Sequence, residues 1–517
     1  MNIHNTPEPK NAHGYVTDVP YTWSFFKFQN PVLLSYVARL KGHVAPDPAK
    51  PFAHCDLGCG NGVTTNLLAA AYPHAEFYGV DINSEHIDNA RALAEKSGLA
   101  NAHFIDASFD ELDQYDLPKF DYITMHGVYS WVQAEVRDQI HSVIDRLLSP
   151  NGLVYLCYNT LPGASNLIPL WKMMQTYSAN LEGDLVTNAQ DALRAITDMR
   201  ENNSRFFRSN PAAADFLDKL IKRDERYLVH EFSNACYEPQ YFWDVAENFQ
   251  KLGLTFAGSA QVYRNNEKNL LSSRHSDHLD QASTIADRES RASFIRNESF
   301  RWDIFINSQN APKPEQPANM YFGAIRASDD LKGTVSAGRR SINLDKGLFR
   351  RVIRIASLGV LNLSELCAHP KLGDYTQDQV TKAVDDLVAA ECLHPFLAAA
   401  KPAVVPSDAP LRFGNQVNLA LIEDRLVSEG KTYLISPVSG FAVRLDFVYG
   451  LFAWACHENK MDDVRGVVEN RLKELDPKLL ENHSTATDAN AWLDKKSRHF
   501  FKHYLPRLLR LGILVKN

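Results

Sequence analysis

Asp56-Leu57-Gly58-Cys59-Gly60-Asn61-Gly62 follows directly on a β-type run that opens at Ala53 and precedes helical text that starts near Val63. Its glycines let the backbone turn through positive φ and approach a ligand with no side chain in between. The start of the helix adds N–H groups that have no intrahelical partner. The spacing is GxGxG, not the GxGxxG of dinucleotide sites, and an acid stands two positions before the first glycine. A pyrophosphate calls for amide donors and a helix dipole. An adenosyl amino acid carries an ammonium and a sulfonium, which call for a carboxylate and carbonyl oxygens. The stretch therefore favours S-adenosylmethionine as cofactor, with Gly58, Cys59, Gly60 and Asn61 against it and Asp56 serving the ammonium directly or through water.

Outward from this turn, β-type and helical runs alternate from Ala53 to Asn159: AHCDLG, a helix over Thr64–Ala71, EFYGVD, a helix over Glu85–Ser97, HFIDAS, FDYITM, a helix over Ala134–Leu148, and LVYLCYN. This is the rhythm of a parallel α/β sheet covered on both faces, whose ligands sit at the carboxyl edge. Asp81, 19 residues beyond Gly62 and followed by Ile82 and Asn83, is placed to accept from both ribose hydroxyls. Asp106 is placed to accept from the adenine amino group, with the backbone N–H beside it, at Ala107, serving a ring nitrogen. Each acid has a bland reading as a turn or helix cap. His126, Tyr129 and Trp131 after the fourth strand, with Tyr158 and Asn159 ending the fifth, are the candidates at the edge facing the cofactor's methyl. Tyr129 and Trp131 equally suit a core role, and for His126 a bond to a backbone carbonyl is favoured over accepting a proton.

The 517 residues allow two to four domains, and 45% apolar with 23% charged residues is an ordinary globular composition. A net charge of −7 gives no general pull toward phosphate backbones or anionic lipid. The seven cysteines are scattered without a CxxC pair, and no run approaches the length of a membrane span. A cytoplasmic protein without a membrane span and without a metal site is expected. The Rossmann-like core is read over 1–163, a helical insertion over 164–226, a segment that completes the first domain over 227–310, and a mainly helical carboxy-terminal domain over 320–517. LTFAGSAQVY (254–263) and FRWDIFIN (300–307) are candidates for the last two strands. The proline-bearing NSQNAPKPEQPAN (307–319) reads as an exposed connector. Beyond it, part of the chain reads as winged-helix-like. Its last helix carries Asp378, Asp385 and Asp386 against Lys382, which argues against nucleic acid as a partner. The basic, aromatic tail from Asp494 reads as a docked terminal helix.

Residues 53–159 resemble the class I, Rossmann-like S-adenosylmethionine-dependent methyltransferases, with DLGCGNG, GVDIN, IDASFDEL and FDYITMHGVYSWV as successive motifs. VPYTWSFF (19–26), HGVYSWV (126–132), YNTLPG (158–163), YLVHEFSNACYEPQYF (227–242) and FRWDIF (300–305) further resemble bacterial methyltransferases with a methyltransferase regulatory domain. That group includes the rickettsial protein lysine methyltransferases, and the likeness spans roughly the first 310 residues. It implies S-adenosylmethionine as cofactor, Tyr21 as a lid over it, and protein lysine as acceptor; dimers occur among similar enzymes. A small molecule or glycan as acceptor, or a cofactor-binding scaffold without turnover, are the other readings. No [DN]PP[YF] follows the fourth strand and no Pro-Cys stands in the chain's motifs, so adenine, glutamine-amide and cytosine-C5 chemistry are not supported. His230, Glu231 and Glu238 lie in the regulatory-like segment without the spacing of metal ligands.

Overall fold

The structure is a computed structural model. It describes residues 23–517 apart from 179–180, 182–183, 223–227, 229–231, 233, 235, 308–319, 327, 402–409, 426–430, 458–460, 462 and 476–485. Tyr21, His230, Glu231 and nearly all of the proline-bearing connector lie outside the described residues.

Eight strands form the central sheet: β1 (Ala53–Leu57), β2 (Glu76–Asp81), β3 (Ala102–Asp106), β4 (Phe120–His126), β5 (Leu148–Leu161), the short β6 (Gln240–Tyr241), β7 (Thr255–Ser259) and β8 (Phe300–Ile306). Their order is β3-β2-β1-β4-β5-β8-β7, with β6 beside the end of β5. β1 to β5 run parallel, and β8 runs antiparallel between β5 and β7. The order reverses between β1 and β4, which opens a crevice at their carboxyl ends. This is the Rossmann-like methyltransferase sheet expected from the motifs, and β7 and β8 come from the two runs read as its last strands.

Alternation along the strands divides the side chains between two faces. Cys55, Leu57, Ile123, Met125, Leu156 and Phe305 bury one face under the helices Ala134–Leu147 and Phe242–Lys251. Tyr122, Leu153, Tyr155, Cys157 and Ile304 bury the other under α1 (Pro31–Leu40) and α2 (Val63–Ala71). Asn30 caps α1 by accepting from the Val32 amide, and Pro31 stands at the first helical position, where it needs no N–H partner. Four helices between Leu167 and Leu220 form a separate cluster above the carboxyl edge around Trp171, Met174, Leu193 and Leu217.

The carboxy-terminal part does not stand apart. Its apolar residues, from Phe322 to Leu514, share one continuous core with the α1 face of the sheet. The Tyr36 hydroxyl on α1 donates to Asp385 at 3.0 Å and its ring meets Phe322 edge-on, while the Asn30 amide donates to the carbonyl of Ser439. The helices Gly347–Leu358, Leu363–Cys367 and Gln377–Ala389 pack with a three-stranded sheet of residues 321–323, 361–362 and 394–396. The acidic helix is docked, with Asp385 bound to Tyr36 and Asp386 paired with Arg340. The basic tail is docked too: Phe500, Leu505 and Leu508 are buried, and Tyr504 stacks on Tyr449. No described helix is long and apolar enough to cross a membrane.

β8 carries a buried ionic cluster. Arg301 pairs with Asp303 at 2.7 Å, with Glu298 at 2.6 Å and with Glu289 at 3.1 Å, and lies 4.1 Å over the Phe242 ring. Arg296 and Arg264 also bind Glu298, whose carboxyl is held down near 2; burial opposes ionisation, and the surrounding guanidinium charges outweigh it. Removing Arg301 leaves buried carboxylates without their partner. Arg301→Ala is expected to lower unfolding free energy by about 3–5 kcal/mol in chemical denaturation. A loss within about 0.5 kcal/mol, the usual range for a surface change, would refute this role.

Candidate functional site

The glycine turn hangs on the end of β2. The amides of Gly58 and Cys59 both donate to the Val80 carbonyl, at 2.8 and 3.0 Å, and the Gly60 amide donates to Asp81 Oδ2 at 2.8 Å. Gly58, Gly60 and Gly62 have φ of 77°, 54° and 64°. A Cβ on Gly58 or Gly62 would strike Val128 or Ala90 at 2.4 Å, whereas one on Gly60 meets nothing within 4 Å. Gly60 therefore borders open space at the crevice, a side-chain-free cradle of the kind an adenosyl amino acid needs. Cys59 donates to the Gly60 carbonyl, and Asn61, which starts the last turn into α2, accepts from Asn89 at 3.1 Å.

Asp81 ends β2 next to Asp106 of β3. Its Oδ1 accepts from the Asn83 amide at 2.9 Å and lies 3.3 Å from His86 Nδ1, while among the described residues Oδ2 has the Gly60 amide alone, so the carboxylate has a fixed direction and Oδ2 keeps a lone pair. Asn83 caps the helix Ser84–Lys96, and Ile82 is half-buried between them. Asp106 is half-buried at the crevice. The Ala107 amide, expected to serve an adenine nitrogen, donates instead to the Asp81 carbonyl at 3.2 Å and extends the β2–β3 ladder.

Asp56 lies beneath the turn, 2% exposed, and not in front of it. Gln29 and Thr124 donate to its Oδ1 and Thr65 donates to Oδ2 at 3.0 Å. Among the described residues Oδ2 has the single donor Thr65, and through these three bonds Asp56 supports the turn from below. Burial raises its carboxyl to about 7, against the lowering by its three donors.

Residues 23–30 cross the crevice opening. The Phe26 amide donates to Thr64 Oγ1 at 3.0 Å, and the Phe26 ring stacks on His126 at 3.9 Å. His126 Nδ1 lies 3.0 Å from the Tyr155 hydroxyl, and burial pushes its imidazole down to about 3, so it is neutral at pH 7. The expected bond to a backbone carbonyl is replaced by this side-chain partner.

Two expected catalytic aromatics belong to the core. Tyr129 is 1% exposed, its hydroxyl pairs with His141 at 2.9 Å, and burial raises it to about 12. Tyr158 points to the opposite sheet face from His126 and donates to Asp303 at 2.7 Å. Trp131 packs on Tyr237, 4.7 Å away, which in turn meets Trp171, so it joins the insertion to the sheet. Asn159 stays at the site. It shares the His126 face of the sheet, its backbone is braced by Ser130, and it pairs in register with Phe300. Trp302 stands on the same face opposite Cys157, and Phe28 packs against it at 5.9 Å. Gln29, Thr65 and Phe28 carry no motif, and Phe26, Phe300 and Trp302 stand in the resembling blocks 19–26 and 300–305 without a site role assigned from the sequence; the chain's return across the sheet brings them here. Among the described residues, no three His, Cys, Asp or Glu gather as metal ligands.

Residues 50–268 match the family described as a methyltransferase domain. The protein sll1526 of Synechocystis sp. is 31% identical over 508 residues, which covers 97% of this chain and 99% of that one. RP028 of Rickettsia prowazekii is 33% identical over 240 residues, 45% of this chain and 93% of that protein. The chain belongs to the class I S-adenosylmethionine-dependent methyltransferases. The structure of PKMT2 from Rickettsia typhi in complex with AdoHcy has the same fold through both halves: TM-score 0.72 at 20% identity, over 96% of this chain and 99% of that one.

S-adenosylmethionine is the cofactor, and the Gly60 cradle with Asp81 and Asp106 at adjacent strand ends fits it. Asp81→Ala is expected to weaken AdoHcy binding by roughly 1–3 kcal/mol, read by calorimetry; unchanged affinity would exclude a ribose role. The raised Asp56 carboxyl makes its ionisation oppose folding. Its contribution to stability is fully present below the unfolded value near 4 and is lost as pH rises to about 7. Cofactor-free protein should therefore lose stability across this window relative to Asp56→Asn, and parallel melting curves against pH would show the carboxyl is not shifted.

Proposed function

We propose that this methyltransferase transfers methyl groups to lysine side chains of proteins, in the cytoplasm. The observation that carries the reading is the aromatic surround of Asn159: Phe26 stacked on His126 on one side, and Phe300 and Trp302, 4.7 Å apart, with Phe28 on the other. Support also comes from the likeness to rickettsial PKMT2 over both halves of the chain, and from the resemblance of its motifs to rickettsial protein lysine methyltransferases.

S-adenosylmethionine supplies, when bound, a methyl group on a positively charged sulfur. The residues around it have to align a neutral nucleophile in line with that methyl and exclude water. A lysine amine, with an ordinary pKa near 10.4, must arrive without its proton. Apolar and aromatic walls disfavour the ammonium and so assist deprotonation, while the ring faces orient the alkyl stem. His126, pushed down to about 3 and paired with Tyr155, is too weak a base to retain the amine's proton. The proton leaves to solvent before the amine is enclosed. The Asn159 amide oxygen accepts a hydrogen bond from the amine and turns its lone pair toward the methyl.

Incubation of the protein with methyl-labelled cofactor and bacterial proteins is expected to place label on lysine. Label on small molecules alone, or on nothing, would overturn the reading. For the labelled protein, log kcat/KM is expected to rise with pH as the amine deprotonates, without a bend near 6.5, because His126 is already neutral there. Asn159→Ala should lower turnover about tenfold or more while leaving AdoHcy affinity intact. A bend near 6.5 that disappears in His126→Gln would instead identify His126 as the base.

A further inference from the structure

Beside the acceptor end of the crevice, the described surface carries aromatic side chains that its own core does not use. Tyr241, in the short strand paired with Leu161 two residues after Asn159, is 38% exposed. Its ring stacks at 5.7 Å on Phe294, which is 58% exposed on the helix Ile285–Arg296. Trp243, in the first turn of the helix that Tyr241 starts, is 48% exposed. Large aromatics displayed together are enriched at interfaces and rare as free surface. Asp244 and Glu247 lie on the same solvent side of that helix, both exposed, while Phe242, Val245, Ala246 and Phe249 take its buried side.

We propose that this patch holds the polypeptide that carries the acceptor lysine, by packing apolar residues that flank the lysine on Tyr241, Trp243 and Phe294 and pairing neighbouring basic residues with Asp244 and Glu247. The inference rests on the lysine reading above. Charge complementarity selects this occupant. A segment bearing lysine is cationic or locally so, and the patch is flanked by carboxylates. The location agrees with it, because the strand that carries Tyr241 pairs with Leu161, two residues beyond Asn159. Binding of the flanking chain at a distance of this kind positions the amine for transfer.

The test uses the full chain with AdoHcy bound and a fluorescein-labelled synthetic peptide of lysine, leucine and phenylalanine, beside a control of lysine and glycine. The apolar peptide is expected to bind more tightly than the control. Its Kd should rise about tenfold in Trp243→Ala/Phe294→Ala and again in Asp244→Lys/Glu247→Lys. The charge-reversed variant should in turn accept the peptide rebuilt with glutamate. These side chains are exposed, so AdoHcy affinity should stay at the wild-type value and report an intact fold. No binding to the wild type, equal Kd in all variants, or a dimer that the aromatic variant dissociates with no change in peptide Kd would overturn the proposal. Because binding is read without turnover, the two readings fail separately. A peptide held on the patch and never labelled on lysine refutes the lysine reading and leaves the patch. Lysine label delivered at an unchanged KM by the patch variants refutes the patch alone.

Discussion

The site depends on one small constraint: the backbone of Gly58 and Cys59 is hooked by two amides onto the single carbonyl of Val80. The two bonds end the parallel β1–β2 ladder, and the hook fixes how far the turn stands from the end of β2. The Gly60 amide then falls within reach of Asp81, and the turn and the carboxylate are set as one unit. Positive φ at three glycines makes the bend attainable. The two flanking positions admit no Cβ because neighbours close in, whereas the middle one faces open space and is held to glycine by its positive φ alone.

Beneath the turn, Asp56 ties the crevice to distant parts of the chain. Its partner Gln29 belongs to the segment that crosses the opening, and the next residue, Asn30, both caps α1 and donates to the carbonyl of Ser439 in the carboxy-terminal half. Residues 23–30, the buried Asp56 and the carboxy-terminal core are thus joined through one short run of hydrogen bonds. Such a buried carboxylate is a weak source of stability. Its value is specificity, since only this placement of Gln29, Thr65 and Thr124 satisfies it.

Much of this architecture was legible in the text of the chain. The glycine spacing, the acids at the ends of β2 and β3 and the alternation from Ala53 to Asn159 are local signals, and local signals survive folding. What a strand-end aromatic does is not local. Tyr129 and Tyr158 stand in the same motifs as His126 and Asn159, yet one residue's change of parity sends Tyr158 to the opposite face, onto Asp303. Tyr129 turns back under the helix that carries His141. From the sequence the Ala107 amide is a candidate ligand donor, because a sequence does not show that the β2–β3 ladder runs one residue further. Phe26, Phe28, Phe300 and Trp302 come from opposite ends of the first 310 residues, and nothing in their spacing announces that they meet.

The two faces of the sheet divide the work accordingly. The face of Tyr158 and Arg301 is closed by ion pairs and aromatic packing and has no free polar chemistry to offer an acceptor. The face of His126 and Asn159 keeps half-buried aromatics at its carboxyl end, where the segment 23–30, with a single 3-10 turn over Lys27–Gln29, covers it. This segment is held by the bond of the Phe26 amide to Thr64, by the stack of Phe26 on His126 and by Gln29 on Asp56, and none of its residues is exposed. The cover over the crevice and the buried carboxylate beneath the turn are therefore tied together through Gln29.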